Sequence, residues 1–284
     1  MDTPSGLAMP AHLVERARLL VAGRATGWTP PPLRDAATVV MVCDADDGLQ
    51  VYLQRRVRTM VFAAGMYVFP GGAVDPADRD RAREIITTAP DKVIPDELRA
   101  DIDDDGAGLG LDTLSARLAA VREVQEEANH DLADPMALRY VAHWATPEVE
   151  DRRYDTRFYA VALPRQDAVY ESSRESDHER WVRPQDALDD YAAGTMAMLP
   201  PTVSVLWGFA RAVADGHDAV GAIEVLARQR IVPLMPAPVA DTSREEGIRW
   251  ALIDFRTGQE FTSVVPHALD VRVPTPDTRG WDSA

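Results

Sequence analysis

The sequence predicts an α/β or α+β sandwich, in which helices cover a mixed central sheet. Runs of β-branched residues typical of strands recur along the chain, and helical runs lie between them. A pair of glycines at 71–72 follows a short strand-like run, ahead of the longest helical run. Strands that alternate with helices are typical of a sheet packed against helices. A length of 284 residues favours one elaborated domain.

The first elements follow from local patterns. Residues 10–23 carry apolar positions at helical spacing, and the prolines within 29–32 end any helix there. Residues 36–43 and 49–56 are rich in strand-forming side chains and flank the acidic turn 44–48, so they predict a β-hairpin.

The remaining elements are assigned in the same way. A short strand at 65–75 breaks at Pro70 into the glycine turn. Proline near the start and glycine after the end support the helix at 184–193. Further strands are predicted at 138–146, 156–163 and 179–182, and further helices at 79–88, 113–128 and, as a packed pair, 202–228. The proline-rich segment 231–284 carries only short β-like pieces.

Composition limits the classes of function. The chain has 30 basic and 46 acidic residues, a net charge of −16, so we expect neither nucleic acid nor an anionic membrane as a partner. Cys43 is the only cysteine, which excludes an intramolecular disulfide and disfavours a cysteine-built metal site. Residues 1–9 lack a secretory pattern, and the chain has no apolar run of about 20 residues. These features predict a cytoplasmic protein.

Three carboxylates carry the main chemical signal. On a helix, Glu123, Glu126 and Glu127 share one face, where like charges repel. A divalent cation would remove that repulsion, and clustered oxygen ligands favour Mg²⁺ or Mn²⁺ over zinc. The alternative is a solvated charged face. The glycine turn favours the ion, because FPGG at 69–72 exposes backbone groups to close approach.

These residues resemble the box of the Nudix hydrolases, G-x5-E-x7-R-E-U-x-E-E-x-G-U, where U is a bulky apolar residue. Gly72 matches the first glycine, and residues 122–127 match R-E-U-x-E-E without a gap. The resemblance covers roughly 35–195. It implies an α/β/α sandwich with a mixed sheet, dependence on Mg²⁺ or Mn²⁺, and hydrolysis of a nucleoside diphosphate linked to another group.

The resemblance also implies a division of the chain. Residues 1–34 form an N-terminal arm, 35–195 the hydrolase domain, and 196–284 a helical extension with a proline-rich tail. Within the hydrolase domain, 43 residues (79–121) stand where the box has seven, so an insertion occupies about 79–115. Subfamilies that resemble the peroxisomal acyl-CoA diphosphatases carry an insertion of this kind.

Three positions depart from the box. Asp78 stands where the first glutamate is expected, with Asp75 as a second candidate for that role. Asn129 replaces the glycine after the helix, and we expect it to adopt the same left-handed conformation. His130 replaces an aliphatic residue.

The resemblance assigns roles to the matched residues. Glu126 and Glu127 become metal ligands, and Glu123 is either a third ligand or the base that deprotonates a metal-bound water. The carbonyl of Gly72 completes the site. Arg122 supports a glutamate or the glycine loop.

A carboxylate from a later loop is also implied. Glu175 is the first choice for it, with Asp177 and Glu179 as alternatives.

The substrate signature is partial. Arg55 and Arg56 precede the Gly65-x3-Phe69 pattern, and with Gly71 they are the candidate substrate-binding residues, but Val61 stands where the coenzyme A motif has its nearest arginine. Coenzyme A or acyl-CoA is favoured. ADP-ribose, dinucleotides and nucleotide sugars are the alternatives, as are a non-catalytic nucleotide-binding regulator and a structural protein with an accidental match.

Two features stay open. The acidic run 101–112 has EF-hand-like spacing, and it is either a calcium loop or a solvated loop. The helices at 202–228 either cap the sandwich or form a homodimer contact.

Overall fold

A computed structural model describes residues 11–23, 27–57, 65–88, 111–164, 176–243 and 247–260, and the structural statements below concern these residues. They form six α-helices and nine strands. The helices are α1 Ala11–Val21, α2 Pro76–Thr88, α3 Leu111–Ala128, α4 Pro184–Ala193, α5 Pro200–Ala214 and α6 Ala219–Ala227. The strands are β1 Arg34–Ala45, β2 Gly48–Arg56, β3 Tyr67–Val68, β4 Gly71–Ala73, β5 Arg139–Ala145, β6 Tyr154–Ala162, β7 Ser176–Val182, β8 Leu234–Ala240 and β9 Ile248–Asp254.

All nine strands belong to one mixed sheet. Strand β1 runs parallel to β6, and β5 runs parallel to β8, whereas the other pairs are antiparallel. In β2, Gln54 pairs with Val68 of β3 and with Glu179 of β7. Since a strand has two edges, β7 lies on the edge of β2 opposite to β3.

The sheet splits between β1 and β2. The two strands pair next to their hairpin, where Val42 is opposite Val51. Farther along, β3 pairs with β2 and β4 pairs with β1, so the segment that contains Pro70 lies between the two strands. The two glycines predicted as a turn therefore lie in the sheet, as the first residues of β4. The name glycine turn is kept below for residues 69–72.

Helices cover both faces of this sheet. On one face, the side chains of Val39, Met41 and Tyr52 pack against α3. On the other face, Val40 and Val51 belong to the cluster that contains α5 and α6. This alternation is what a strand buried on both faces requires. The predicted α/β/α sandwich with a mixed sheet is confirmed.

Helix α3 is close to its predicted span and begins two residues earlier, at Leu111. Its buried residues include Leu114, Ala120 and Val124. Asn129, immediately after the helix, has a φ of 48° and is the one non-glycine residue with positive φ in the described ranges. The predicted left-handed asparagine cap is therefore confirmed.

Helix α2 lies at the start of the predicted insertion and begins at Pro76, three residues earlier than predicted. The carboxylate of Asp78 accepts a hydrogen bond from the backbone N–H of Asp75 at 2.9 Å, which satisfies a donor at the helix start. Ala82 of α2 packs against Leu114 of α3. Residues 89–110 lie outside the described ranges.

The chain after residue 195 continues the same sheet and core. Helices α5 and α6 cap one face of the sheet, which was one of the two alternatives for 202–228. Strand β8 pairs with β5, and β9 pairs with β8. Helix α1 packs against Val149 and Ile248. The domain boundaries at 34 and 195 stay predictions. No helix among the described residues is long and apolar enough to cross a membrane.

Candidate active site

The glutamate face of α3 lies against the glycine turn. Glu127, which is 5% exposed, accepts two hydrogen bonds on Oε2, from the N–H of Gly71 at 2.9 Å and from Nε2 of Gln54 at 2.6 Å. Gly71 is 56 residues from Glu127 along the chain. The insertion therefore does not prevent the two halves of the motif from meeting.

Burial controls the protonation of Glu127. Loss of water around the carboxylate, together with the nearby charge of Glu123, raises its pKa from 4.5 to about 7. The hydrogen bond from Gly71, the charge of Arg56 and the hydrogen bond from Gln54 oppose this rise. The site thus contains a buried carboxylate whose negative charge is only partly compensated, as a cation site requires.

Glu123 lies directly over Gly72. A Cβ at Gly72 would come within 2.7 Å of Glu123 Oε2 and closer still to Oε1. Real Cβ atoms do not approach other atoms so closely. Glycine at position 72 therefore leaves the space in which the Glu123 carboxylate sits.

Glu126 is the most solvent-accessible of the three carboxylates, with 58% of its side chain exposed. Its Oε2 lies 3.1 Å from Nη1 of Arg122, and the same nitrogen is 2.8 Å from Glu123 Oε1. One guanidinium nitrogen therefore bridges the two carboxylates and keeps them close together.

Arg122 also joins the glutamates to the glycine turn. Its Nη2 donates to the carbonyl oxygen of Ala73 at 3.0 Å and to Asp78 Oδ2 at 2.9 Å. Partial burial alone would lower the pKa of Arg122, but hydrogen bonds and charge pairing with Asp78 and Glu123 raise it overall. The contacts that the resemblance implied for Arg122, with a glutamate and with the glycine loop, are both present.

The donor set of this site suits a hard cation. Glu123, Glu126 and Glu127 supply carboxylate oxygens, the ligands that Mg²⁺ and Mn²⁺ prefer. Among the described residues, however, no three Asp, Glu, His or Cys side chains form a ready-made metal site. Nη1 of Arg122 lies between two of these glutamates, in contact with one oxygen of each.

The two candidate substrate arginines are consecutive residues of β2, so their side chains project to opposite faces of the sheet. Arg56 is two residues beyond Gln54, on the face of α3, and its charge lowers the pKa of Glu127. Arg55 alternates to the face that Leu53 occupies, towards α5 and α6. The structure therefore brings Arg56, but not Arg55, to the glutamate side of the sheet.

The three candidates for a later carboxylate are spread along one segment. Glu175, the first choice, lies outside the described residues. Asp177 and Glu179 belong to β7. Glu179 is directly opposite Gln54, and opposed residues of an antiparallel pair project to the same face. Glu179 is therefore on the face of the sheet that α3 covers, which is the side where Glu127 lies.

Sequence reasoning did not find Gln54. Its position in β2 could have indicated it. Side chains of a strand alternate between the two faces, so Gln54 faces the same core as Tyr52, where an apolar residue is expected.

His143 has partners outside this site. His143 is buried, and its ring contacts the Tyr140 hydroxyl at 2.7 Å and the Asp155 carboxylate, which gives it a structural environment. Of the acidic run 101–112, residues 101–110 lie outside the described ranges. Asp112 is in the first turn of α3 and pairs with Arg79 at 2.8 Å.

Comparison with known proteins points to one family. No family model matches the chain. It is 24% identical over 175 residues to a Caenorhabditis elegans protein provisionally named nudix hydrolase 7, covering 60% of this chain and 58% of that protein. It is 33% identical over 69 residues to the acyl-coenzyme A diphosphatase NUDT19 of Xenopus laevis, covering 23% of this chain and 18% of that protein. The chain thus spans less than two thirds of either relative.

Among solved structures, a NUDIX hydrolase from Alicyclobacillus acidocaldarius superposes with a TM-score of 0.55 at 23% identity. The match covers 71% of this chain and all of that one. The fold is therefore that of a Nudix hydrolase, and the sequence likenesses support the same family for this chain.

Proposed function

We propose that the protein is a divalent-metal-dependent Nudix diphosphatase. Water adds to one phosphorus of a phosphoanhydride, the bond from that phosphorus to the bridging oxygen breaks, and two phosphate monoesters leave. The observation that carries this proposal is the contact of Glu127 with Gly71, because it joins the acidic helix face to the glycine pair despite the long insertion between them.

Each residue of the site has a distinct task in this proposal. Glu123, Glu126, Glu127 and the carbonyl of Gly72 would hold Mg²⁺ or Mn²⁺, with Glu123 as the alternative base for the attacking water. A bound ion supplies charge neutralisation at the phosphate oxygens and a lowered pKa for the water. Arg122 keeps Glu123 and Glu126 beside the glycine turn through its bridging nitrogen.

Coenzyme A or acyl-CoA is the favoured substrate, with 3′,5′-ADP and (acyl-)phosphopantetheine as products. Support comes from the 69-residue likeness to an acyl-coenzyme A diphosphatase and from Arg56, a cation on the glutamate side of the sheet. ADP-ribose, dinucleotides and nucleotide sugars are the alternative substrates. Arg55 and Gly71 remain substrate-binding candidates, and Glu175 remains the candidate later carboxylate.

The remaining properties of the chain agree with a small-molecule enzyme. A net charge of −16 disfavours binding to nucleic acid or to an anionic membrane surface. Cys43 is the only cysteine of the chain and is buried, so the chain forms no internal disulfide, which suits the reducing cytoplasm. Assembly as a homodimer stays a prediction.

A substrate screen tests the proposal. The protein is incubated with coenzyme A, acetyl-CoA, ADP-ribose and NADH, each with Mg²⁺, with Mn²⁺ and with EDTA, and products are separated by chromatography. We expect metal-dependent cleavage, fastest for coenzyme A or acetyl-CoA. Faster cleavage of ADP-ribose or NADH would overturn the substrate assignment alone. Nucleotide binding without cleavage under any condition would instead support the non-catalytic regulator.

A further inference from the structure

Gln54 places a buried amide where the strand pattern calls for an apolar side chain. Along β2, Val51 and Leu53 face one core, and Tyr52 faces the core beneath α3. Gln54 follows on the α3 side and is 2% exposed. Its Oε1 is buried and accepts no hydrogen bond from any residue that the structure describes.

That arrangement is unfavourable for the fold considered alone. A buried acceptor without a partner retains the full penalty of losing its water. Methionine has a similar length and shape, packs well in irregular cores and carries no such acceptor. A buried, incompletely bonded amide at this position therefore calls for another explanation.

The donor end of the amide supplies that explanation. Nε2 of Gln54 donates to Glu127 Oε2 at 2.6 Å, and the N–H of Gly71 donates to the same oxygen at 2.9 Å. No hydrogen bond from a described residue ends on Oε1 of Glu127. Two donors on one oxygen fix the rotation of the carboxylate and leave its other oxygen for a ligand.

The orientation of the amide is itself determined by this contact. When Glu127 is ionised, as a metal ligand must be, a flipped amide would place its carbonyl oxygen against the carboxylate, which is repulsive. Gly71 belongs to β4, which pairs with β1, and Gln54 belongs to β2, so the two donors are held by different strands of the split sheet. Together they fix Glu127 from both sides of the split.

We propose that Gln54 is a positioning residue that orients Glu127 for the divalent cation. This inference rests on the metal-dependent function proposed above. It assigns to Gln54 no contact with substrate or with the reacting atoms. Groups that orient a metal ligand typically contribute about 10- to 100-fold to metal affinity or activity.

The test compares Gln54→Met with Gln50→Met in the full-length, metal-free protein. Gln50 lies on the same strand, but its amide bonds to Asp47 in the hairpin turn at 3.0 Å. Mn²⁺ binding is measured by calorimetry, folding by circular dichroism, and turnover on whichever screened substrate the wild type cleaves fastest. We expect Gln54→Met to bind Mn²⁺ about tenfold more weakly, with unchanged secondary structure, and Gln50→Met to match the wild type.

Turnover at increasing Mn²⁺ separates positioning from general damage. A positioning role predicts that Gln54→Met recovers activity as Mn²⁺ approaches saturation, whereas a variant with a damaged fold does not recover. If Gln54→Met does not fold, Gln54→Asn is measured instead, because it keeps an amide but shortens its reach by one methylene. Gln54→Asn should also weaken Mn²⁺ binding.

The outcomes distinguish the two proposals. Wild-type Mn²⁺ affinity in the folded Gln54 variant, with affinity lost in Glu127→Gln, would overturn the role of Gln54 and leave the metal-dependent function standing. A wild-type protein that neither binds Mn²⁺ nor cleaves any screened substrate would overturn both.

Discussion

Arg122 and Asp78 form an ion pair through two nitrogens, with Nε 3.3 Å from Oδ1 and Nη2 2.9 Å from Oδ2. The pair joins α3 to the start of the insertion across 44 positions of sequence. Asp78 is buried, and it also accepts the hydrogen bond from the backbone of Asp75. Asp78 stands where the box spacing from Gly72 places the first glutamate. Its carboxylate holds Arg122 in place.

Asp78→Ala should lower the free energy of unfolding by about 2 kcal/mol, because it leaves a partly buried guanidinium without its main partner. It should also reduce turnover, since Arg122 would no longer be held beside Glu123. Denaturant titration and the hydrolysis assay measure the two effects. The matched control is Asp80→Ala in the same helix, where an exposed pair with Arg83 should contribute less than about 0.5 kcal/mol. Equal stabilities for the two variants would contradict this role of Asp78.

Glu126→Gln should abolish most activity without destabilising the protein. Its side chain is largely exposed, so the fold does not depend on its charge. Removal of a direct metal ligand should reduce turnover at least about 100-fold, because even groups that merely support ligands reach that magnitude. The control is Glu84→Gln, which removes another exposed helical glutamate, paired with Arg81. A Glu126→Gln variant as active as Glu84→Gln would exclude Glu126 as a ligand.

The raised pKa of Glu127 predicts a specific dependence of stability on pH. In the unfolded chain this carboxyl loses its proton near pH 4.5, whereas in the folded protein it keeps it until about pH 7. The contribution of Glu127 to the free energy of unfolding is therefore most favourable below pH 4.5. It becomes less favourable as the pH rises from 4.5 to 7, because the folded state must then release the proton from a buried carboxyl. Without metal, the wild type should lose about 3 kcal/mol relative to Glu127→Gln across this window.

Denaturant titrations of both proteins in EDTA at pH 4.5, 6 and 8 measure this difference. Subtraction of the Glu127→Gln values removes the contribution of the other titrating groups. A difference that stays constant with pH, or that grows in favour of the wild type as the pH rises, would show that Glu127 ionises normally.

The two glycines of the turn should respond differently to alanine. At Gly71 a Cβ would lie 2.7 Å from the Cα of Thr38, so Gly71→Ala must separate β4 from β1 and should lower the melting temperature. At Gly72 the obstacle is the far end of the Glu123 side chain rather than backbone, so it can shift without separating two strands. Gly72→Ala should therefore retain most stability and lose activity. Thermal melts and the hydrolysis assay test the contrast, and a similar loss of stability in both variants would contradict it.

The sequence predicted those parts of the site that depend on local pattern. Three glutamates at helical spacing share a face in any helix, and asparagine after the helix adopts the left-handed cap that its side chain tolerates. The strand that breaks at Pro70 was likewise visible in the sequence. These features depend on neighbouring residues, so one sequence suffices to find them.

Contacts between residues that lie far apart in the sequence could not be predicted. The bond from Gln54 to Glu127 joins residues 73 positions apart, and it depends on which strand lies beneath α3. Strands β8 and β9 were visible only as short pieces, because their membership of the sheet depends on pairing with β5. Periodicity indicates which face of a strand is buried, but it does not identify the partner on that face.

The most direct test of the metal site is an anomalous difference map from crystals of the protein soaked in Mn²⁺. The account predicts a peak beside Gly72 with carboxylate oxygens of Glu126 and Glu127 as ligands, at about 2.2 Å as for hard cations with oxygen donors. A map with no peak there would contradict it.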